Sequence, residues 1–193
     1  GGGVDTRGGA SIGNSTISGN AARSSVGGVR LKSFSASPPA ATISNSTISG
    51  NRAVTGAVGG VYANVPLTVR SSTIAFNTAA SGASASGLSA RAQYAPITVD
   101  LNGTLLSNNS FGNTPTASDF GTATSGANTI AATGADNLIF APASGAALPS
   151  GGGLVSACPL LGPLRDNGGS NKTHQLLSHS PALDVGNDTS TAT

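Results

Sequence analysis

Apolar residues in this chain come in short, β-branched, alternating runs separated by Gly, Asn, Ser and Pro, as in Leu67-Thr-Val69, Ile97-Thr-Val99 and Ala41-Thr-Ile43. Alternation of this kind predicts half-buried strands rather than helices. The runs sit inside a longer rhythm. The phrase Asn14-Ser-Thr-Ile-Ser-Gly-Asn20 returns unchanged at residues 45–51, and in altered form at 71–77 and 102–108. Ile17, Ile48, Ile74 and Leu105 thus fall 31, 26 and 31 residues apart, with Asn20, Asn51, Asn77 and Asn108 in step. A second apolar marker, Val4, Val29, Val61, Leu88 and Phe120, recurs after 25, 32, 27 and 32 residues, and its first four members follow Gly.

A phrase repeated at this period marks a solenoid, in which each coil buries its apolar side only against its neighbours. A coil of 25–32 residues fits three short strands and three turns, the rung of a parallel β-helix. The expected fold is therefore all-β, a parallel solenoid of about five rungs over residues 1–140. At the usual spacing between strands such a rod is roughly 24 Å long. Residues 33–40 and 79–86 read as loops of variable length at one corner. A β-sandwich needs no repeated phrase, a leucine-rich repeat has denser leucines at shorter period, and a propeller blade is longer.

In this frame Ile17, Ile48, Ile74 and Leu105 form a core column, and Asn20, Asn51, Asn77 and Asn108 a structural ladder. Stacked Asn side chains hydrogen-bond along the stack, and Asn tolerates the left-handed backbone of a tight corner. N-x-S/T sequons at Asn14, Asn45, Asn102, Asn108, Asn171 and Asn187 matter as glycan acceptors only in a eukaryotic secretory pathway.

The period fails after about Phe140. Residues 141–193 read as a linker rich in Pro, Gly, Ala and Ser, followed by an irregular C-terminal cap. The cap carries Leu161-Gly-Pro-Leu-Arg-Asp-Asn-Gly-Gly-Ser-Asn-Lys-Thr-His174, then Ser180-Pro-Ala-Leu-Asp-Val-Gly-Asn187, with a tight-turn signal at Asn167-Gly168. This stretch resembles the C-terminal signature of the choice-of-anchor Q family of bacterial surface proteins, L-G-P-L-x-D-N-G-G-x-T-x-T-H-x-L-L-x-x-S-P-A-I-D-x-G-N. Asp166, Asn167, Gly168, Gly169, Thr173, His174, Ser180, Pro181, Asp184, Gly186 and Asn187 carry the match. The upstream coils are also similar to the repeats of polymorphic outer-membrane proteins. The resemblance implies a right-handed parallel β-helix, secreted and held at the cell surface by a separate anchor. The chain opens on what reads as a rung, so we expect that an upstream segment was removed or lies outside the recorded chain, and no sorting tail follows Asn187.

Composition narrows the function. Hydrophobic residues make up 37%, aromatics 4% and charged residues 8%, with 28 Gly and a net charge of +2. The basic residues are scattered along the sequence, so no nucleic-acid footprint is visible. No run of about 20 apolar residues is present to span a membrane. Cys158 is the single cysteine and is expected to be a small buried hydrophobe.

Parallel β-helices also host polysaccharide-cleaving enzymes, which need paired carboxylates, or clustered acids for calcium with a basic residue to take the proton. The acids are Asp5, Asp100, Asp119, Asp136, Asp166, Asp184 and Asp188, without Glu. With Thr104 as rung reference, Asp100 is expected beside Val69, Ile43 and Ile12, and Asp119 beside Gly87, Gly60 and Gly28. Arg70 and Arg91 stand alone in this alignment. His174, Ser180 and Asp184 could form an acid–base set, but the structural reading gives His174 a backbone carbonyl or Asp184 as partner. His179 is expected in a solvated turn. Asp166-Asn167 and Asp136-Asn137 are too isolated for calcium, so neither a metal nor a cofactor is expected. The leading expectation is a non-enzymatic structural or adhesive extracellular β-helix that assembles head to tail into a filament, or contacts the cell envelope or a surface polysaccharide. The alternative is a polysaccharide-binding or pectate-lyase-like carbohydrate-active β-helix.

Overall fold

The structure is a computed structural model that describes residues 2–80, 85–112 and 116–185. It is a parallel β-solenoid without helices among the described residues. Sheet A stacks Val4–Arg7, Val29–Lys32, Val61–Ala63, Leu88–Ala92 and Phe120–Thr124. Sheet B stacks Ser11–Gly13, Ala41–Ser44, Leu67–Arg70, Ile97–Asn102 and Ile130–Thr133. Sheet C stacks Thr16–Ser18, Thr47–Ser49, Thr73–Ala75, Leu105–Ser107, Asn137–Ile139 and Gly153–Val155. Each coil thus visits A, B and C in turn. Four full turns separate Val4 from Phe120, whose column Val4, Val29, Val61, Leu88 and Phe120 pairs Cα to Cα throughout.

The coil has a fourth side that the expected three strands omit. Sheet D holds the two-residue strands Ala21–Ala22, Arg52–Ala53, Thr78–Ala79 and Ser110–Phe111, closed by an antiparallel strand at Thr116–Ala117. Two residues carry too little alternation to register as a strand in the sequence. Loop length varies at two corners rather than one: between sheets A and B, where 33–40 lies, and between D and A. Of the second predicted loop, residues 81–84 lie outside the described residues. Regular stacking also outlasts Phe140, because Gly153–Val155 adds a sixth strand to sheet C.

Alternate side chains of the strands fill the interior. Val29, Leu31, Ile43, Ile48, Val61, Ile74, Leu88 and Phe120 are all fully buried. In the core column, Ile17 pairs with Ile48 and Ile48 with Ile74, but the next residue is Leu106, not the expected Leu105. The slip is one residue. Leu105 instead pairs with Thr73 and faces outward.

The same slip moves the ladder. Asn20 Nδ2 donates to Asn51 Oδ1 at 2.9 Å, Asn51 Nδ2 to Asn77 Oδ1 at 2.9 Å, and Asn77 Nδ2 to Asn109 Oδ1 at 2.8 Å. The fourth rung is Asn109, not Asn108. Each acceptor oxygen also takes the backbone N–H of the preceding ladder residue, at 3.0–3.1 Å. The second amide hydrogen goes backwards, from Asn51 to Ile17 O, Asn77 to Ile48 O and Asn109 to Ile74 O, each at 2.9 Å. No amide hydrogen is left over on these buried residues, which is the condition for a polar stack to stabilise a core.

Asn108 occupies a different column, the left-handed one. Gly19, Gly50, Phe76 and Asn108 have φ of 67°, 64°, 56° and 58°. Five residues earlier, Asn14, Asn45, Ser71 and Gly103 have φ of 48°, 45°, 45° and 56°. Two left-handed residues therefore bracket every strand of sheet C in the first four coils. The Gly before the second marker serves the ladder: a Cβ on Gly28 would lie 2.6 Å from Gly60 O and 3.1 Å from Asn51 Nδ2.

A hydroxyl column turns the corner from B to C. Ser15 N donates to Ser46 Oγ and Ser46 N to Ser72 Oγ, at 3.2 and 3.1 Å. Higher up, Thr104 N donates to Asn137 Oδ1 at 3.0 Å.

Candidate functional site

The C-terminal signature folds as a hairpin of Leu161–Asp166 and Lys172–Leu176, with Leu164 opposite His174 and Arg165 opposite Thr173. Its turn residues act where the sequence puts them. Asp166 Oδ1 accepts from Gly168 N at 2.9 Å, Asn167 Nδ2 donates to Thr173 O and Oγ1 at 3.0 Å, and Arg165 Nε donates to Asn167 Oδ1 at 2.9 Å. Gly168 has φ of 93°, a conformation that a side chain opposes, while Gly169 lies in open space.

The hairpin lies along the side of the rod, across the outer face of sheet C. Thr16 Oγ1 donates to Lys172 O at 2.9 Å, and His174 Nε2 lies 2.7 Å from Ser49 Oγ. The His174 ring packs on Phe76, with centroids 4.9 Å apart. Its Nδ1 is 2.7 Å from Gly162 O. A carbonyl only accepts, so Nδ1 carries a proton and donates to Gly162 O, while Nε2 shares a hydrogen bond with the Ser49 hydroxyl. Sheet C is consequently covered on both faces. Thr47–Ser49 and Asn137–Ile139 are buried at all three positions, whereas Leu67–Arg70 in sheet B alternates.

Where the hairpin stands off the rod it encloses a cleft of about 550 Å³. Leu161, Leu176, Ala182 and Val185 line the hairpin side, Leu105 and Leu138 the rod side, and His174, Asp136 and Thr73 the polar edges. Ser71, Ser72, Thr104 and Asn137 add to the polar rim, so the seam is apolar only where the leucines meet.

The remaining signature residues are placed as follows. Ser180 is buried, donates to Pro159 O at 2.5 Å and accepts from Ala182 N at 3.2 Å. Pro181 and Asp184 are exposed, Asp184 with φ of 57°. Among the described residues no hydrogen bond joins His174, Ser180 and Asp184. Gly186 and Asn187 lie outside the described residues. His179 is an exposed turn residue with φ of 67°. Cys158 is exposed rather than buried, because the chain there has left the coil for the surface.

The carboxylates are spread apart. Asp100 pairs with Thr68, not Val69, by the slip already described; its Oδ2 lies 3.5 Å from Arg70 and its Oδ1 accepts from Thr133 at 3.0 Å. Arg70 is therefore partnered, contrary to the sequence alignment. Asp119 does sit in register with Gly87, Gly60 and Gly28, and its carboxylate ends the Asn ladder. Burial pushes that carboxyl upward, against the N–H donors of Asn109 and Ala141 that favour its charged form. Among the described residues, no group of three or more His, Cys, Asp or Glu converges to hold a metal ion. Among them, too, no helix is long and apolar enough to cross a membrane.

Sequence reasoning missed the basic face of sheet A. The residue three places after the second marker reads Arg7, Lys32, Asn64, Arg91 and Ala123, so the register already held the signal. Comparison of the chain with protein-family models, with curated proteins and with solved structures returns no match.

Proposed function

We propose that the chain is a structural and adhesive β-solenoid of the choice-of-anchor Q kind, displayed at a bacterial cell surface and not an enzyme. One observation supports this reading above the others: the signature residues are spent on structure. Asp166, Asn167 and Gly168 build the hairpin turn, and His174 fixes the hairpin to Ser49 on the rod. A signature of this kind closes a scaffold. Against the carbohydrate-cleaving alternative stands the engagement of three carboxylates, Asp5 with Arg30, Asp100 with Arg70 and Asp119 at the end of the ladder. Protease treatment of intact source cells tests the reading. Loss of the full-length protein from intact cells supports it, and protection until the cells are lysed counts against it.

End-to-end assembly has a narrower basis. Val4, Ile12 and Ile17 in the first coil are only partly buried, while their partners Val29, Ile43 and Ile48 are fully buried. That apolar face suits stacking of a further coil, and a second copy stacking there would build a filament. Electron microscopy of the native material decides between fibres and single particles.

A further inference from the structure

Side chains of sheet A alternate between core and solvent, and the solvent side gathers residues that lie far apart in sequence. One outward column runs Asp5, Arg30 and Tyr62 and ends at the buried Ser89; the next holds Arg7, Lys32 and, two coils beyond Lys32, Arg91. Four of the chain's nine Lys and Arg residues thus share one face of a protein with a net charge of only +2. Arg30 is committed to Asp5, through Nε–Oδ1 at 2.8 Å and a terminal nitrogen to Oδ2 at 2.5 Å. Arg7, Lys32 and Arg91 have no acidic partner among the described residues. Arg7 and Lys32 are adjacent in the stack, and Arg91 lies two coils on, about 10 Å further along the axis.

A groove of about 270 Å³ follows this face. Its floor carries Arg30, Tyr62 and Ser89, and one wall is the corner loop with Ser24 and Ser25. At the corner between sheets A and B stand Phe34 and Tyr94, which are 56% and 39% exposed although aromatics are rare in this chain. Their rings pack together at 5.6 Å and 53°, and Lys32 Nζ sits 4.4 Å above Phe34.

We infer that this groove binds an acidic polysaccharide, running along the rod with its carboxylates on Lys32 and Arg91 and its sugar faces against Tyr94 and Phe34. The inference deepens the adhesive reading and rests on it. Spaced cations without acidic partners attract a regularly charged polymer, and guanidinium groups match carboxylates in shape. Serine hydroxyls and the Tyr62 phenol suit a polyhydroxylated chain. The tilted aromatic pair offers one apolar face and an edge, which fits a sugar ring; successive bases of a nucleic acid would need parallel platforms and more positive charge.

The test is binding of the full chain to polygalacturonate and alginate, with dextran and methyl-esterified pectin as uncharged controls and a single-stranded DNA oligonucleotide as a competing polyanion. Binding to the two polyuronates alone is expected, weakening with added salt. The double variant Lys32→Gln/Arg91→Gln should lose about tenfold or more in affinity, as charge-assisted contacts do. Tyr94→Ala should lose about fivefold through its lost ring contact. Both sets of residues face outward, so melting temperatures should hold, and either variant alone suffices if the other unfolds. Failure to bind the polyuronates, equal binding to the esterified pectin, tighter binding to DNA, or unchanged affinity in both variants would overturn the inference. Since the assay uses purified protein, such a failure leaves the cell-surface reading standing, and loss of surface exposure leaves this one standing.

Discussion

Asn109 donates its side-chain amide to the Asp119 carboxylate at 2.7 Å, and that bond ends the Asn ladder. The next coil offers Pro142 opposite Phe120 and so has no amide for the position. Asp119, ten residues on, turns back and supplies an acceptor. Its Oδ1 also takes Asn109 N at 2.8 Å, and its Oδ2 takes Ala141 N at 2.8 Å.

Replacing Asp119 with Ala strands Asn109 N and Ala141 N and leaves the Asn109 amide only the Ile74 and Ser107 carbonyls. The expected loss is about 3 kcal/mol or more, since each buried unsatisfied group costs about 1–3 kcal/mol. Urea unfolding followed by circular dichroism measures it. A loss below about 1 kcal/mol, the net worth of one ordinary hydrogen bond, would refute a terminating role.

Two pairs of substitutions test the register of the fourth coil. Leu106→Ala should cost about 2–5 kcal/mol, the range for a buried large-to-small change, and Ile48→Ala the same. Leu105→Ala, facing outward into the cleft, should cost less than half as much. Asn109→Ala should destabilise strongly, whereas Asn108→Gly should be close to neutral because Gly takes the φ of 58° freely. The reverse order in either pair would restore the register read from the sequence.

Removing the chain from Ser156 onward uncovers the outer face of sheet C, including Leu138 and Thr47. The column Thr16, Thr47, Thr73 becomes apolar at Leu105 and Leu138, and that end of the uncovered face should bind hydrophobic dye and aggregate. Unchanged solubility and melting temperature after the truncation would show that the hairpin does not protect the rod.

The pair Asp5–Arg30 predicts a response to acid. The Arg30 hydrogen bond holds the Asp5 carboxyl at about 2, below its usual 3.8. A lowered folded value means that the stabilisation is complete above about 4 and is lost as pH falls towards 2. Both side chains are partly exposed, so solvent screening limits the contribution to at most about 1 kcal/mol. The stability difference between the parent chain and Asp5→Asn should therefore shrink over that window. A difference that stays constant from pH 5 to pH 2 would contradict it.

Ser107 is the inverse case. Its hydroxyl is fully buried and has no hydrogen-bond partner among the described residues, while Ala75 fills the adjacent position of the same column. Ser107→Ala should be neutral or stabilising, by up to about 2 kcal/mol, because it removes an unsatisfied polar group without opening a large void. A clear loss in thermal stability would mean that the hydroxyl is in use.

Three columns, the second marker, the isoleucines and Asn20, Asn51 and Asn77, are readable in the sequence because their residues are distinctive. Val4 to Phe120 is marked by a preceding Gly in four of five coils, and Ile17, Ile48 and Ile74 sit in a phrase that scarcely changes. The fourth coil was misread for a physical reason. Leu105 and Leu106 are adjacent, as are Asn108 and Asn109, so both frames place an apolar residue and an amide three residues apart. Only the left-handed corners at Gly103 and Asn108 separate the frames. The two properties of Asn invoked for one column belong to separate ones: ladder bonding to Asn20, Asn51, Asn77 and Asn109, left-handed backbone to Asn14 and Asn45 at one corner and Asn108 at the other. The hairpin turn was legible at Asn167-Gly168, but its position along the rod was not, because docking rests on Ser49 and Thr16, far upstream and unremarkable in type.

The paired left-handed residues, always five apart in the first four coils, divide the molecule into parts of fixed and of free length. An inserted residue between such a pair would turn every following side chain of that strand from interior to exterior and pull the ladder out of line. The loop at 34–39 has no such constraint, and its neighbours in the stack are already shorter. Segments of foreign sequence should therefore be tolerated at that corner and rejected at the other, which makes this rod a platform whose grafting sites can be chosen by counting residues from one corner to the next.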